Sequence, residues 1–224
     1  GASVGNAKIE FVGSDGSSAV LKANHLLEDG DVIDGTMMSA KALRTFLDAE
    51  INDAKKQGVL FSLHVKATMM KISDPIIFGH AVSSYLNDVF EKHAVTFKTL
   101  AVDPELGIGD LMAKVGTLSG NIKTEIEADI QSCIDDQADL YMVNSDRGIS
   151  NLHVSSDVII DASLPALIRA GGKAWGPDGK ENDTKCVIPD SSYAGIYSET
   201  IEFCKERGAF HPSEMGSVSN VGLM

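Results

Sequence analysis

The chain has 224 residues, 43% hydrophobic and 23% charged, enough for one large or two small domains with a real core. Its 32 acidic residues against 19 basic ones give a formal net charge of −13, which repels phosphate backbones and argues against nucleic-acid binding. No stretch approaches the roughly 20 uninterrupted apolar residues of a membrane span, and Gly1-Ala2-Ser3-Val4-Gly5 lacks the basic start and apolar run of a secretory signal. Cys133, Cys186 and Cys204 show no paired spacing, so neither a disulfide framework nor a zinc site is expected. A reducing, cytoplasmic setting fits.

The first predicted element is a hairpin. Lys8-Ile9-Glu10-Phe11-Val12 and Ala19-Val20-Leu21 flank the turn signal Gly13-Ser14-Asp15-Gly16-Ser17. Ser39 then reads as the N-cap of a helix with Leu43, Phe46, Leu47, Ile51 and Ala54 at helical spacing, stopped by Gly58. Val59-Leu60-Phe61-Ser62-Leu63-His64-Val65 is too apolar for an edge strand and predicts a buried one. Ser73-Asp74-Pro75 gives a cap, an acidic first turn and an early proline, starting a helix to about His93.

Two more helices are predicted, from Gly109 to Leu118 and from Lys123 to Asp136, followed by a strand-like Leu140-Tyr141-Met142-Val143. Asp157-Val158-Ile159-Ile160-Asp161 reads as a second buried strand leading into a capped start at Ser163-Leu164-Pro165. Trp175 falls in a loop with Gly171, Gly172, Gly176 and Gly179, and a last helix runs from about Ser192 to Arg207, ended by Gly208. Strands alternating with capped helices indicate an α/β fold: a mixed or mostly parallel sheet flanked by helices, with an N-terminal β-hairpin, in one unit over residues 1–224. The ending Val221-Gly222-Leu223-Met224 is not a typical polar tail and reads as a truncation.

In open α/β sheets, ligands bind beyond the carboxyl ends of strands, where helix N-termini also point. Two such corners carry an ionisable residue: Lys66 after the first buried strand and Asp161 at the end of the second. A strand-end carboxylate can hold Mg²⁺ or Mn²⁺ through oxygen, and a lysine in a closed cleft can have its pKa lowered and move protons. The plainer readings are that a strand-end aspartate caps a turn and a strand-end lysine reaches water. Asp157 shares a strand face with Asp161 but lies about 13 Å away at strand rise, so it reads as structural.

Other patterns weaken. Gly107-Ile108-Gly109 follows no strand and lacks the third glycine of a dinucleotide fingerprint, so a turn into a helix is the better reading. Gly179-Lys180 lacks the upstream glycine of a phosphate loop and reads as a turn. His64 and His80 show no metal-ligand spacing and read as packed or hydrogen-bonded residues. Met37-Met38 and Met69-Met70 could line a pocket, yet methionine mostly fills cores.

The run from Leu60 to His80, with Lys66-Ala67-Thr68-Met69-Met70-Lys71 and Ser73-Asp74-Pro75 at its centre, resembles the monomeric class of bacterial NADP-dependent isocitrate dehydrogenases. Asp146-Arg147-Gly148-Ile149, Asn151-Leu152-His153-Val154, Ser156 to Ser163, Trp175 to Lys180, Val187-Ile188-Pro189-Asp190 and Asn220 to Met224 extend the likeness over nearly the whole chain. The family enzyme is far longer, so the resemblance implies an interior segment of its large domain.

It further implies conversion of isocitrate to 2-oxoglutarate and CO₂ with NADP⁺ and Mg²⁺ or Mn²⁺. Lys66 stands where the family has a lysine critical for catalysis, working with a tyrosine in proton transfer. Asp161 stands at a metal ligand that also faces substrate. The tyrosine would fall just past Met224, so Tyr193 and Tyr197 are not put in its place. The serine, asparagine and arginine group that holds isocitrate would precede Gly1, while the other metal aspartates and the NADP contacts would follow Met224. This accounts for an acidic chain with only four arginines, Arg44, Arg147, Arg169 and Arg207. Arg147 stands where relatives have lysine, and no function is attached to it.

The competing expectation is a non-catalytic structural or assembly module completed by other polypeptides. One metal carboxylate cannot supply the ligands Mg²⁺ needs, so the isolated chain is expected to be inactive, and edges left by absent neighbours favour self-association. Metal-dependent phosphoryl transfer on an unrelated α/β fold fails on the missing phosphate loop.

Overall fold

Gly13 and Gly16 close a turn between two strands, β1 (Gly5–Val12) and β2 (Ser18–Leu27), in a computed structural model that describes residues 4–33, 37–67, 72–211 and 213. The turn is fixed by Gly13 N–H to the Ser17 carbonyl (2.8 Å) and by Asp15, whose Oδ1 accepts from the Ser17 N–H (2.9 Å) and hydroxyl (2.6 Å). The strands pair antiparallel with register shifts around Ile9. This is the expected hairpin. It forms one compact unit, Gly1–Met38, and the rest of the chain forms a second, Ser39–Met224.

In the second unit, α1 (Ala40–Gln57) begins as its cap predicts: the Ser39 hydroxyl accepts from the Ala42 N–H (3.3 Å). Leu43, Leu47, Ile51 and Ala54 form its buried stripe, whereas Phe46, expected in that stripe, is exposed. Gly58 ends the helix at φ 66°, a left-handed conformation that glycine adopts without a Cβ penalty.

β3 (Leu60–Leu63) is buried at every position, with its outer edge covered by residues 139–141: the Phe61 N–H donates to the Asp139 carbonyl (2.7 Å) and the Phe61 carbonyl accepts from the Tyr141 N–H (3.1 Å). Helices α2 (Ser73–Tyr85), α3 (Asn87–Lys92) and α4 (Ala94–Thr99) follow in place of one predicted helix to His93. The breaks fall at Leu86 (φ −109°) and His93 (φ −106°), both buried. No glycine or proline announces them; the bends instead turn Tyr85, Leu86, Val89 and Phe97 into one core, and that burial outweighs helical continuity.

α5 (Ile108–Gly116) and α6 (Asn121–Asp136) match expectation. Gly107 proves to be a turn into a helix, at φ 90°, and a Cβ there would lie 2.3 Å from the His153 carbonyl oxygen. β4 (Met142–Asn144) and β5 (Ile149–Ser150) make a small antiparallel pair. Then come α7 (Ile160–Arg169), β6 (Lys173–Trp175), β7 (Glu181–Val187) and α8 (Ser191–Arg207).

The main sheet has the order β3-β7-β6, with β3 parallel to β7 and β6 antiparallel to it; Leu140 adds a parallel bridge to Phe61. The expected mixed sheet with helices around it is therefore present. Two readings need correction. Trp175 lies on strand β6, not in a loop, and its partner β7, Glu-Asn-Asp-Thr-Lys-Cys-Val, is too polar for a periodicity argument to detect. Lys185 on β7 instead pairs with Glu50 and Asp53 of α1. Residues 157–161 also form no strand: Ser155–Asp157 is a 3₁₀ turn, Val158 and Ile159 are extended, and α7 starts at Ile160. Three consecutive β-branched residues mimic a strand, but the Ile160 N–H bonds the Val65 carbonyl (2.9 Å) and the chain turns into a helix there.

Candidate active site

Beyond β3 the chain stays extended and tied down. His64 N–H donates to the Val187 carbonyl (2.9 Å), and Lys66 forms an isolated antiparallel bridge with Ile159. The Lys66 N–H itself donates to Asp74 Oδ2 (2.7 Å), a carboxylate that is fully buried in the first turn of α2. Asp74 was expected only to complement a helix start; it also fixes the backbone of Lys66. Ser73 lies within the helix, which has no side-chain cap.

Lys66 is 3% exposed. Its ammonium donates to Asp161 Oδ2, 95 residues along the chain, and the Asp161 side chain keeps 32% exposure. The structure thus brings together the two residues picked separately from the sequence. Asp161 belongs to the first turn of α7, not to a strand end, so the 13 Å separation from Asp157 argued on strand geometry no longer applies. The Asp161 carboxylate beside it holds the Lys66 pKa above its ordinary value, outweighing burial, which acts the other way. The lowered pKa entertained for a lysine in a cleft is therefore reversed: this lysine keeps its proton.

The Tyr193 ring centroid lies 5.9 Å from Lys66 Nζ, and the Tyr197 hydroxyl donates to the Ile160 carbonyl (3.3 Å). Neither tyrosine takes the place of the family's catalytic tyrosine, which would fall just past Met224, and nothing in their spacing points to Lys66 or Ile160. A cavity of about 290 Å³ opens between the end of β3 and α7, lined by His64, Asn151, Asp157, Ile159 and Ser163 among others, with neither Lys66 nor Asp161 in its lining.

His64 is hydrogen-bonded inside the core and His80 accepts from Arg44 Nε (3.1 Å), as expected of packed histidines. Met37 and Met38 are exposed and fill no core; Met69 and Met70 lie outside the described residues. Among the described residues, the one group of three potential metal donors within 4.8 Å is His93, Glu125 and Asp129. Lys92 already occupies it, 3.0 Å from Glu125 and 2.7 Å from Asp129. Asp161 belongs to no such group.

A model of the family described as monomeric isocitrate dehydrogenase matches residues 2–224. The chain belongs to the monomeric isocitrate dehydrogenase family. It is 58% identical over 220 residues to the NADP isocitrate dehydrogenase of Azotobacter vinelandii, covering 98% of this chain and 30% of that protein. The corresponding figures for isocitrate dehydrogenase [NADP] 2 of Colwellia maris are 54% over 219 residues, 98% and 30%. The Mycobacterium tuberculosis protein of that name gives 51% over 219 residues, 98% and 29%. The chain therefore spans about 30% of the length of the curated relatives it matches. No helix among its described residues is long and apolar enough to cross a membrane.

Proposed function

We propose that this chain is an interior segment of the large domain of an NADP-dependent isocitrate dehydrogenase, contributing one wall of the site that converts isocitrate to 2-oxoglutarate and CO₂. The observation that carries this reading is the Lys66–Asp161 pair: an ammonium and a carboxylate held together beyond the end of β3, within a chain of that family. Lys66 Nζ holds a proton and delivers it to the carbon that has lost CO₂, together with a tyrosine outside this chain.

Asp161 fits a divalent cation, Mg²⁺ or Mn²⁺, as one ligand. It offers a hard carboxylate oxygen and is partly exposed, but a single carboxylate falls well short of the roughly six oxygen ligands Mg²⁺ takes. When bound, the cation would polarise the hydroxyl and carboxylate of isocitrate. Asp161 would hold it, and the remaining ligands, the anion clamp and the NADP contacts would come from other segments of the parent chain. A soluble cytoplasmic setting, without nucleic-acid or membrane partners, accords with the acidic surface.

A second reading is supported by the same incompleteness: the 224-residue chain alone is a non-catalytic module. Its hairpin exposes Phe11, Val20, Leu21 and Leu26, apolar surface that favours self-association of the isolated chain. The test is NADPH formation with isocitrate, NADP⁺ and Mn²⁺, comparing this chain with the full-length parent. An active parent beside a silent chain is expected. Turnover by the chain alone would overturn the account of ligands supplied from elsewhere, and a parent inactive on isocitrate would overturn the assignment itself.

A further inference from the structure

We propose that His64 is a positioning residue for the Lys66–Asp161 pair, its ring tying the segment that carries Lys66 to the helix that carries Asp161. This rests on the functional reading above. His64 is fully buried. Its Nε2 lies 2.7 Å from the Ser62 hydroxyl oxygen on β3, and its Nδ1 lies 2.8 Å from the Ser163 hydroxyl oxygen on α7.

The hydrogens can be assigned from the partners. The Ser163 hydroxyl donates to the Ile159 carbonyl (3.0 Å), which uses its one hydrogen, so His64 Nδ1 must donate to Ser163. Burial lowers the pKa of the ring to about 4, so at neutral pH Nε2 carries no proton and accepts from Ser62. The Ser62 oxygen in turn accepts from the Asn151 amide (3.2 Å), whose nitrogen also donates to the Leu63 carbonyl (3.0 Å). Turning that amide over would set its carbonyl oxygen against the Leu63 oxygen, so its orientation is fixed as well.

The result is a chain of hydrogen bonds with one direction: Asn151 to Ser62, Ser62 to His64, His64 to Ser163, and Ser163 to the Ile159 carbonyl. It begins beside β3 and ends on the residue that bridges Lys66. His64 stands two residues before Lys66, and Ser163 stands two residues after Asp161. The start of α7 has no side-chain cap, so this link supplies orientation that a cap would otherwise give. It is also built of neutral groups. A lysine that gives up a proton and a carboxylate that turns to a cation cannot also hold their own elements in register, whereas the neutral link is unchanged by either event. Ser62 and His64, in a run from Val59 to Val65 otherwise made of Leu, Phe and Val, are explained by that role.

The test uses the full-length enzyme with Ser163→Ala, Ser163→Thr, His64→Phe and Lys66→Met, measuring kcat and the KM values for isocitrate and NADP⁺. Ser163→Ala and His64→Phe are expected to lower kcat about 10- to 100-fold, the scale of a displacement near 1 Å at reacting groups, with the KM for NADP⁺ unchanged. Ser163→Thr keeps the hydroxyl and should restore kcat to within about twofold, since threonine also bonds the carbonyl one turn back. Should His64→Phe fail to fold, the Ser163 pair decides the matter alone. Near-normal kcat in Ser163→Ala, or no rescue by threonine, would overturn the positioning role while a dead Lys66→Met upheld the site. A Lys66→Met enzyme with normal kcat would remove the site itself, and this role with it.

Discussion

Asp74→Ala offers the sharpest measure of how firmly Lys66 is held. The Asp74 carboxylate is fully buried and accepts the Lys66 N–H at 2.7 Å, and it sits in the first turn of α2, where negative charge is favoured by the helix dipole. A hydrogen bond to a charged group contributes about 1.5–3 kcal/mol, and a buried donor left unpaired costs about 1–3 kcal/mol. Because these overlap, the expected loss is about 2–4 kcal/mol. Asp74→Asn keeps an acceptor of the same shape without the charge; charge-assisted bonds are roughly twice as strong as neutral ones, so about half that loss is expected. Urea denaturation of the 224-residue chain and its two variants reads the difference as a shift in midpoint at constant slope. In the full-length enzyme, Asp74→Ala should also lower kcat, since the backbone of Lys66 loses an anchor. A loss within about 0.5 kcal/mol, the range of ordinary surface substitutions, would refute the view that this carboxylate fixes the lysine.

Lys66→Met in the full-length enzyme should cut kcat by roughly 10²–10⁴-fold, the span of a lost proton-transfer group, with the circular dichroism spectrum intact; near-normal kcat would take Lys66 out of the mechanism. Asp161→Asn should chiefly weaken activation by Mn²⁺, so an unchanged metal titration would count against ligation. Gly107→Ala should destabilise the chain by about 2 kcal/mol or more through a strained positive φ and a Cβ pressed on the His153 oxygen, and a neutral result in thermal denaturation would contradict that approach. His64, whose folded pKa lies near 4 against an ordinary 6.5, is protonated first in the unfolded chain. Its stabilising contribution is thus present above about pH 6.5 and is lost as pH falls toward 4, by about 3 kcal/mol at 1.36 kcal/mol per pKa unit. In His64→Phe that part of the acid loss should vanish, and an undiminished loss would show that another group is responsible.

The elements legible in the sequence were those with a local cause. The hairpin turn, the Ser39 and Gly58 caps of α1 and the apolar run of β3 each depend on residues a few positions apart. What stayed hidden depends on distant partners. Leu86 and His93 are buried where the helix breaks, and β7 is a strand because its backbone pairs with both β3 and β6, while its Lys185 meets Glu50 and Asp53 of α1. The Val158-Ile159-Ile160 run misled in the opposite sense: its β-branched residues serve an extended pair followed at once by a helix.

The site divides along the same line. The ligand-bearing corners of α/β folds single out Lys66 and Asp161 one at a time, and Asp161 lies in the first turn of α7, not at a strand end. Their contact, 95 residues apart, follows from topology: α7 begins where Ile159 and Ile160 bond Lys66 and Val65, and this carries Asp161 to the lysine. That contact also decides the charge state. A buried lysine without a partner loses its proton readily, whereas one facing a carboxylate keeps it, so the direction of the Lys66 shift could not be read before the partner was known. Lys66 is consequently held by Asp74 and Ile159 at its backbone and by Asp161 at its tip. A side chain so restrained has little rotamer freedom left to lose when substrate arrives. Such preorganisation would suit the proton-donor role proposed for Lys66, and it is more than a lysine merely reaching for water would need.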